Sequence, residues 1–479
     1  MTTPPEERRR WLALLVLCLG ELMIVLDTTV VTVALPSVQR DLGFTETALV
    51  WVVNAYMLTF GGCLLLGGRL GDLYGARRAF LAGVALFTLA SLACGLAQTQ
   101  ALLVGARALQ GVAGAVVSAV ALSLIVNLFE REDERARAMG VYGFVCAGGG
   151  SLGVLLGGLL THALSWHWVF LINLPIGIAV YALSLRLVDN APGSGGARLD
   201  VGGALTITLA LMLAVYAVVD GNSAGWLSAQ TLTLFAAAAA LLALFLRIEA
   251  RSPAPLVPLG LLRLRQLATA NVVGVLWSAA MFAWFFITAL YLQQLLHYSP
   301  LQVGLAFLPA NLLMAWFSLG LSARLVMWRG RRWPVVAGLL LTGAGLACFA
   351  LAPLGGSYAL HVLPGMLLLG LGTGMALNPL LLAAMSDVGP RDAGLASGVV
   401  NTSFMMGGAL GLAVLASLAG ARTASYVGSA DAALHAGYTL AFAAGAAFAW
   451  VGAALAGLGL RANPSVSEQE PAPAPSSMS

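Results

Sequence analysis

Fourteen apolar stretches, each long enough to cross a bilayer as a helix, alternate with short polar linkers along this chain. They fall at about 11–35, 49–68, 78–97, 101–128, 137–160, 166–187, 200–219 and 229–248, then 268–292, 301–324, 334–354, 358–382, 396–419 and 436–460. A helix rises about 1.5 Å per residue, so about 20 residues cover the ~30 Å hydrocarbon layer. Runs of this length predict an all-α polytopic membrane protein with fourteen transmembrane helices. The first run has a basic flank, but it is too long for a signal peptide and no small-residue cleavage site follows it, so it predicts an uncleaved helix. Longer linkers lie at 189–198 and 249–265, and the Pro-, Ser- and Glu-rich stretch 461–479 predicts a disordered tail.

The spans repeat. Arg69-Leu70, Gly75 and Arg77 recur ungapped, 255 residues later, as Arg324-Leu325, Gly330 and Arg332. Each copy follows the second span of a six-span block, which makes spans 1–6 and 9–14 two related halves and leaves spans 7 and 8 as an inserted hairpin. Parallel repeats with a midplane site between them are a transporter architecture. The expected organisation is an amino-terminal segment 1–10, a six-helix bundle 11–187, a linker 188–265 carrying helices 7 and 8, a second bundle 266–460, and the tail 461–479.

Composition agrees with the pattern. Of the 479 residues 60% are hydrophobic and 9% are charged, and the mean hydropathy is +0.91; soluble domains carry about 25% charged residues. All 24 basic residues are arginine, and 21 of them fall in the linkers on the amino-terminal side against Arg40 and Arg422 on the other, with Arg107 inside a span. The positive-inside rule then places both termini in the cytoplasm. The five cysteines lie within apolar spans without CxxC or metal-ligand spacing, and no GxxxxGK[ST] loop is present. Neither a metal nor a cofactor is expected, nor a nucleic-acid or obligate protein partner. An intramembrane enzyme would want clustered His, Asp or Cys, and the five histidines are scattered at span ends and loops.

The candidate chemistry begins with Asp27, a carboxylate in the middle of the first span. A charge there costs roughly 2.5–3.5 kcal/mol on insertion scales, and burial in a low dielectric disfavours the charged form of a carboxyl, so it can trade a proton. A structural aspartate bonded to a facing helix is the alternative. Arg107 in the fourth span is its natural counterpart, a structural bond between helices being the alternative; Gln110, Gly111, Gly114 and Ser118 share its helical face, a polar, small-residue stripe that suits a cavity lining. Glu21 lies about 120° around the first helix from Asp27. It reads as a partner for Arg107, a second acid in a proton path, a contact for a cationic substrate, or simply a hydrogen-bonded carboxyl between helices. Span 9 carries Trp277, Met281, Trp284, Phe285, Thr288 and Tyr291 near one face, a surface suited to lipophilic cations or to packing. Asn54, Tyr56, Asn311, Asn378 and Asn401 are further candidate lining groups. Gly149, Gly153 and Gly157, at i, i+4 and i+8, make a close-packing face on span 5.

The loop Gly67-Gly68-Arg69-Leu70-Gly71-Asp72-Leu73-Tyr74-Gly75-Ala76-Arg77-Arg78 resembles the signature of the major facilitator superfamily. Gly68 and Gly71 permit helix approach, Gly75 a tight turn, and Asp72 can pair with Arg77 or a helix amino end as a rim latch, with Arg69 and Arg78 beside it. Leu26-Asp27-Thr28-Thr29-Val30-Val31-Thr32-Val33-Ala34-Leu35-Pro36, Arg107-Ala108-Leu109-Gln110-Gly111 and Trp166-His167-Trp168-Val169-Phe170-Leu171-Ile172-Asn173-Leu174-Pro175 resemble segments of that superfamily's fourteen-helix drug:proton antiporter branch. The fifth-span motif departs from the branch, with Val154 where a proline is usual. The resemblance implies the major facilitator fold and export of lipophilic or cationic small molecules in exchange for protons, with Asp27, Arg107 and Glu21 in proton coupling. Export of an endogenous metabolite or lipid-linked compound is the alternative on the same fold.

Overall fold

The computed structural model describes residues 4–129, 131–189, 200–252, 255–257, 259–317, 321–388 and 393–461. Residues 190–198 of the linker expected at 189–198, and the tail beyond 461, lie outside them. The described chain is helical: α1 (Pro4–Leu42), α2 (Glu46–Tyr74), α3 (Ala76–Gly95), α4 (Gln100–Leu128), α5 (Glu132–Ala163), α6 (Trp168–Leu171), α7 (Asn173–Leu187), α8 (Val201–Ala224), α9 (Ala229–Arg251), α10 (Arg265–Gln294), α11 (Pro300–Trp316), α12 (Ser322–Arg329), α13 (Arg332–Ala350), α14 (Leu363–Ala384), α15 (Ala393–Ser425) and α16 (Ala430–Gly459). Among the described residues twelve helices are long and apolar enough to cross a membrane, and shorter apolar stretches, Leu152–Ala163 and Pro300–Trp316, occupy the fifth and tenth expected spans.

Helix starts are set by polar caps where the apolar runs begin. Thr45, Thr99, Ser228 and Ser429 each accept a backbone N–H three residues on, and Ser299 with Gln302 closes a capping box at α11. The two copies of the loop motif end their helices identically. Gly75 (φ 92°) and Gly330 (φ 72°) both adopt positive φ, where a side chain would be strained.

The repeat extends to packing. In the first half α1 packs on α4, α5 and α7, α2 on α4, and α3 on α4 and α7; in the second, α10 packs on α14, α15 and α16, α11 on α14, and α13 on α14 and α16. Every pairing of the first half thus has its counterpart in the second. The halves meet twice by one rule, the second helix of one block against the fifth of the other, as α2 on α15 and α5 on α11. α8 lies against both α2 and α15, whereas α9 packs on α8 and turns most of its surface outward.

The glycine face of α5 explains its docking. A methyl at Gly153 would fall 1.8 Å from Thr29 Oγ1, and one at Gly157 2.5 Å from the Val30 carbonyl oxygen. Gly149 meets Leu22 and Val25 in the same way, so α1 and α5 touch at backbone distance. Val154 is buried, and its carbonyl oxygen stands 2.9 Å from the position of a methyl on Gly304, at the α5–α11 junction.

Candidate functional site

Asp27 and Arg107 form an ion pair between α1 and α4, with exposures of 0% and 1%. Removing two charges from water is costly unless their remaining lone pairs and protons are also satisfied, and here several further bonds do so. Arg107 Nε donates to the Val52 carbonyl of α2 at 2.9 Å and Nη1 to Gln110 Oε1 at 2.8 Å, while its guanidinium lies 4.5 Å from the Tyr56 ring centroid. Asp27 Oδ1 accepts from Gln110 Nε2 at 3.0 Å and from Asn173 Nδ2 at 2.9 Å. Ser91 on α3 accepts from both amides, at 2.8 and 3.3 Å. Five helices therefore converge on one carboxylate.

The sequence brings out Asp27, Arg107 and Gln110 in this cluster; Ser91 and Asn173 are additions from the structure. Asn173 opens α7 within the Trp166–Pro175 segment already singled out, where an amide in an apolar run was the available signal. The network is sealed inside the first half. Gln110 is fully buried, and Gly111 faces α2, where a methyl would fall 2.1 Å from Thr59 Oγ1 and 2.3 Å from the Tyr56 carbonyl oxygen. The face of α4 expected to line a cavity is thus spent on ion-pair support and close helix packing.

Glu21 is buried apart from the pair. Both its oxygens accept from Ser118 Oγ, at 2.8 and 2.9 Å, and Tyr142 also bonds it. Its expected role as a partner of Arg107 is not what the structure shows, because that guanidinium is engaged by Asp27, Val52 and Gln110.

The remaining candidates separate. Asn54 donates to the Ala409 carbonyl at 2.9 Å, tying α2 to α15 across the halves rather than facing open volume. Trp284 and Phe285 pack with Phe307 of α11, ring centroids 5.6 and 5.4 Å away. Tyr291 instead meets Phe349 and Phe442 edge-on within the second half. The buried indole nitrogens of Trp277 and Trp284 and the Thr288 hydroxyl, all on one face of α10, have no hydrogen-bond partner among the described residues. Asn311 is buried, Asn378 is half-buried, and Asn401 is exposed and bonds its own helix at Ser397.

In the loop motif Arg77 donates to the Leu185 carbonyl at the end of α7, and Arg69 to Pro255 at 3.4 Å. Gly71 sits close to Val120, Gly68 has more room, and Arg78 is exposed. The Asp72 side chain lies outside the described residues, so the latch expected of it is not among these contacts.

A second polar cluster, unread in the sequence, closes the ends of the halves remote from the arginine-rich loops. Gln293 Nε2 donates to the Val33 carbonyl at 2.9 Å and Gln294 Nε2 to Gln39 Oε1 at 2.8 Å. The Tyr438 hydroxyl lies 2.5 Å from Gln294 Oε1 and 3.2 Å from Glu46 Oε1. These residues terminate or begin spans, where polar side chains are ordinary, so nothing in the sequence distinguishes them. Toward the arginine-rich end of α5, by contrast, methyls at Gly140 and Gly143, and at Gly150 in mid-helix, would meet nothing within 4 Å among the described residues.

The family profile of the Major Facilitator Superfamily matches residues 17–412. The chain belongs to that superfamily. A puromycin resistance protein of Streptomyces alboniger is 41% identical over 461 residues, covering 92% of this chain and 91% of the relative. A cephamycin export protein of Amycolatopsis lactamdurans is 40% identical, covering 86% of this chain and 85% of its own length. A lincomycin resistance protein of Streptomyces lincolnensis is 38% identical with the same coverage. The duplicated helix pairings, the paired loop glycines and the many apolar spans are the major facilitator architecture expected from the motifs, in a multi-pass membrane protein of a transporter family.

Proposed function

We propose that this major facilitator exports lipophilic or cationic small molecules in exchange for protons, by alternating access of a site between its two halves. The observation that carries the reading is the sealed Asp27–Arg107 pair. A carboxylate at membrane depth with arginine and amide partners on α4 and α7, themselves held by α2 and α3, is a group whose protonation changes many contacts at once. When Asp27 takes a proton, Arg107 keeps Val52, Gln110 and the Tyr56 ring but loses its counter-charge, and the first half must repack around it. A substrate that favours one protonation state is then linked to the proton by their shared preference for one conformation. The relatives' names, resistance to puromycin and to lincomycin among them, support drug-like cargo.

The aromatic face of α10 with its unpartnered Trp277, Trp284 and Thr288 donors is the proposed substrate surface, supplying stacking, cation–π contact and polar handles. Arginine counts favour a cytoplasmic location for both termini, which makes the Gln39–Gln294–Tyr438 end the outer one. A second reading, export of a compound that the producing cell itself makes, draws on a cephamycin export protein and a probable actinorhodin transporter among the relatives.

The test is dye or antibiotic efflux from proteoliposomes under an imposed pH gradient. The wild-type chain is expected to drive uphill movement that Asp27→Asn abolishes, while the variant still reaches the membrane and elutes as a single folded species. Gradient-driven transport by Asp27→Asn at the wild-type rate would sink the proposal.

A further inference from the structure

One surface feature is untouched by this mechanism. An open apolar groove of about 610 Å³ runs between α12, α13 and α14, walled by Phe317, Leu325, Trp333, Leu340, Leu371 and Met375 among others, all of them apolar. On α13 its wall extends from Trp333 to Ala344. At 1.5 Å per residue that is about 17 Å, close to half of the ~30 Å hydrocarbon layer. The groove is therefore about one leaflet deep.

Its loop end is basic. Arg324, Arg329 and Arg332 are exposed, and Arg331 donates to the Leu382 carbonyl at 3.2 Å. The Arg329 guanidinium lies 4.5 Å from the Trp328 ring and 5.5 Å from the Trp333 ring, so the indole that walls the groove also holds a cation at its mouth. None of the four arginines joins an ion pair among the described residues, whereas Arg461 nearby in the second half pairs with Asp387. Arginine forks suit phosphate oxygens, and tryptophans sit at the headgroup level of bilayers.

We propose that the groove is a binding site for an anionic phospholipid, with an acyl chain along α13 and the phosphate on Arg329 and Arg332. The slot alone would accept any chain. Unpaired positive charge at its mouth selects a lipid of net negative charge over a zwitterionic one, which brings its own ammonium to the same place.

The experiment offers the purified full-length chain phosphatidylglycerol and phosphatidylcholine with matched chains and counts retained lipid by native mass spectrometry. Wild type is expected to retain phosphatidylglycerol about tenfold over phosphatidylcholine, from two arginines near the headgroup. Arg329→Gln with Arg332→Gln should bring the ratio close to one, and Ala337→Trp, which fills the slot, should release both lipids. The arginines are exposed, so their variant reports even where the groove-filled one fails to fold. Equal retention of the two lipids by wild type, or an unchanged ratio in the arginine variant, would overturn the assignment. So would displacement of bound phosphatidylglycerol by a lipophilic dye cation at micromolar concentration, which would make the groove a drug site.

Discussion

Arg107 is held by a planar fork that only arginine supplies, with one nitrogen for Asp27 and Gln110, another for the Val52 carbonyl, and a face for Tyr56. Lysine would keep the charge and lose that geometry, so Arg107→Lys is expected to cut efflux at least about tenfold with normal membrane insertion, measured by dye efflux against expression level. Asn173→Ala removes a donor to Asp27, and hydrogen bonds to charged groups are worth about 1.5–3 kcal/mol. Its thermal unfolding midpoint and efflux should both fall, whereas Asn401→Ala, which loses only a bond within its own helix, should change neither; equal effects of the two would show that the network is not special. Asp27 and Arg107 were legible because a charge inside an apolar run is costly and conspicuous. Ser91 and Asn173 were not, because one hydroxyl or amide in an apolar run does not say which helix it faces, and their partners are distant in the chain, Gln110 19 residues from Ser91 and Asp27 146 residues from Asn173.

At the scale of helices, glycine spacing reads as a close-packing face on α5, and Gly149, Gly153 and Gly157 each stand against α1. Gly157→Leu would drive a side chain into the Val30 backbone, which cannot yield as a flexible side chain can, so loss of folded protein is expected; Gly150→Ala, in open space, should be silent. Size-exclusion profiles of the two variants check this. The inserted hairpin divides in the same physical terms. α8 is fastened to α15 by Asn222, which donates to the Ser417 carbonyl at 2.6 Å, and by Ser417, which donates to Val218 at 3.0 Å, while α9 is mostly exposed. Cysteines at Leu209 and Ala237, both on exposed faces of apolar helices, should resist water-soluble thiol reagents because lipid covers them. Ready, substrate-protected labelling there would instead make the hairpin part of the path. The sequence revealed the hairpin through the repeat, but it could not reveal that α8 would rest on the α2–α15 junction, since that contact is set by small residues such as Gly62 against Thr208.

Across the whole molecule, the two halves are tied most specifically at the ends remote from the arginine-rich loops. Four side chains, Gln39, Glu46, Gln294 and Tyr438, and the bond of Gln293 to the Val33 carbonyl cross between them there, while Asn54 and Thr402 bond carbonyls between α2 and α15 deeper in the spans. Each such bond contributes only about 0.5–1.5 kcal/mol, so together they bias a two-state equilibrium by a few kcal/mol. A bias of that size can be reversed by the differential binding of a proton or a substrate. A stronger seal would stop turnover and a weaker one would leak. In a background without the native cysteines, Gln39→Cys with Gln294→Cys should therefore be joined by a short bis-methanethiosulfonate reagent, because the native side chains meet tip to tip and cysteine is too short to close a direct disulfide there. The cross-link is expected to abolish transport, and a reductant to restore it. Tyr438→Phe, which removes a hydroxyl shared by α2, α10 and α16, should lower the cross-linking yield by favouring the conformation open at this end. Full transport by the cross-linked protein would mean that these ends need not part, and the alternating-access reading of this contact would fail.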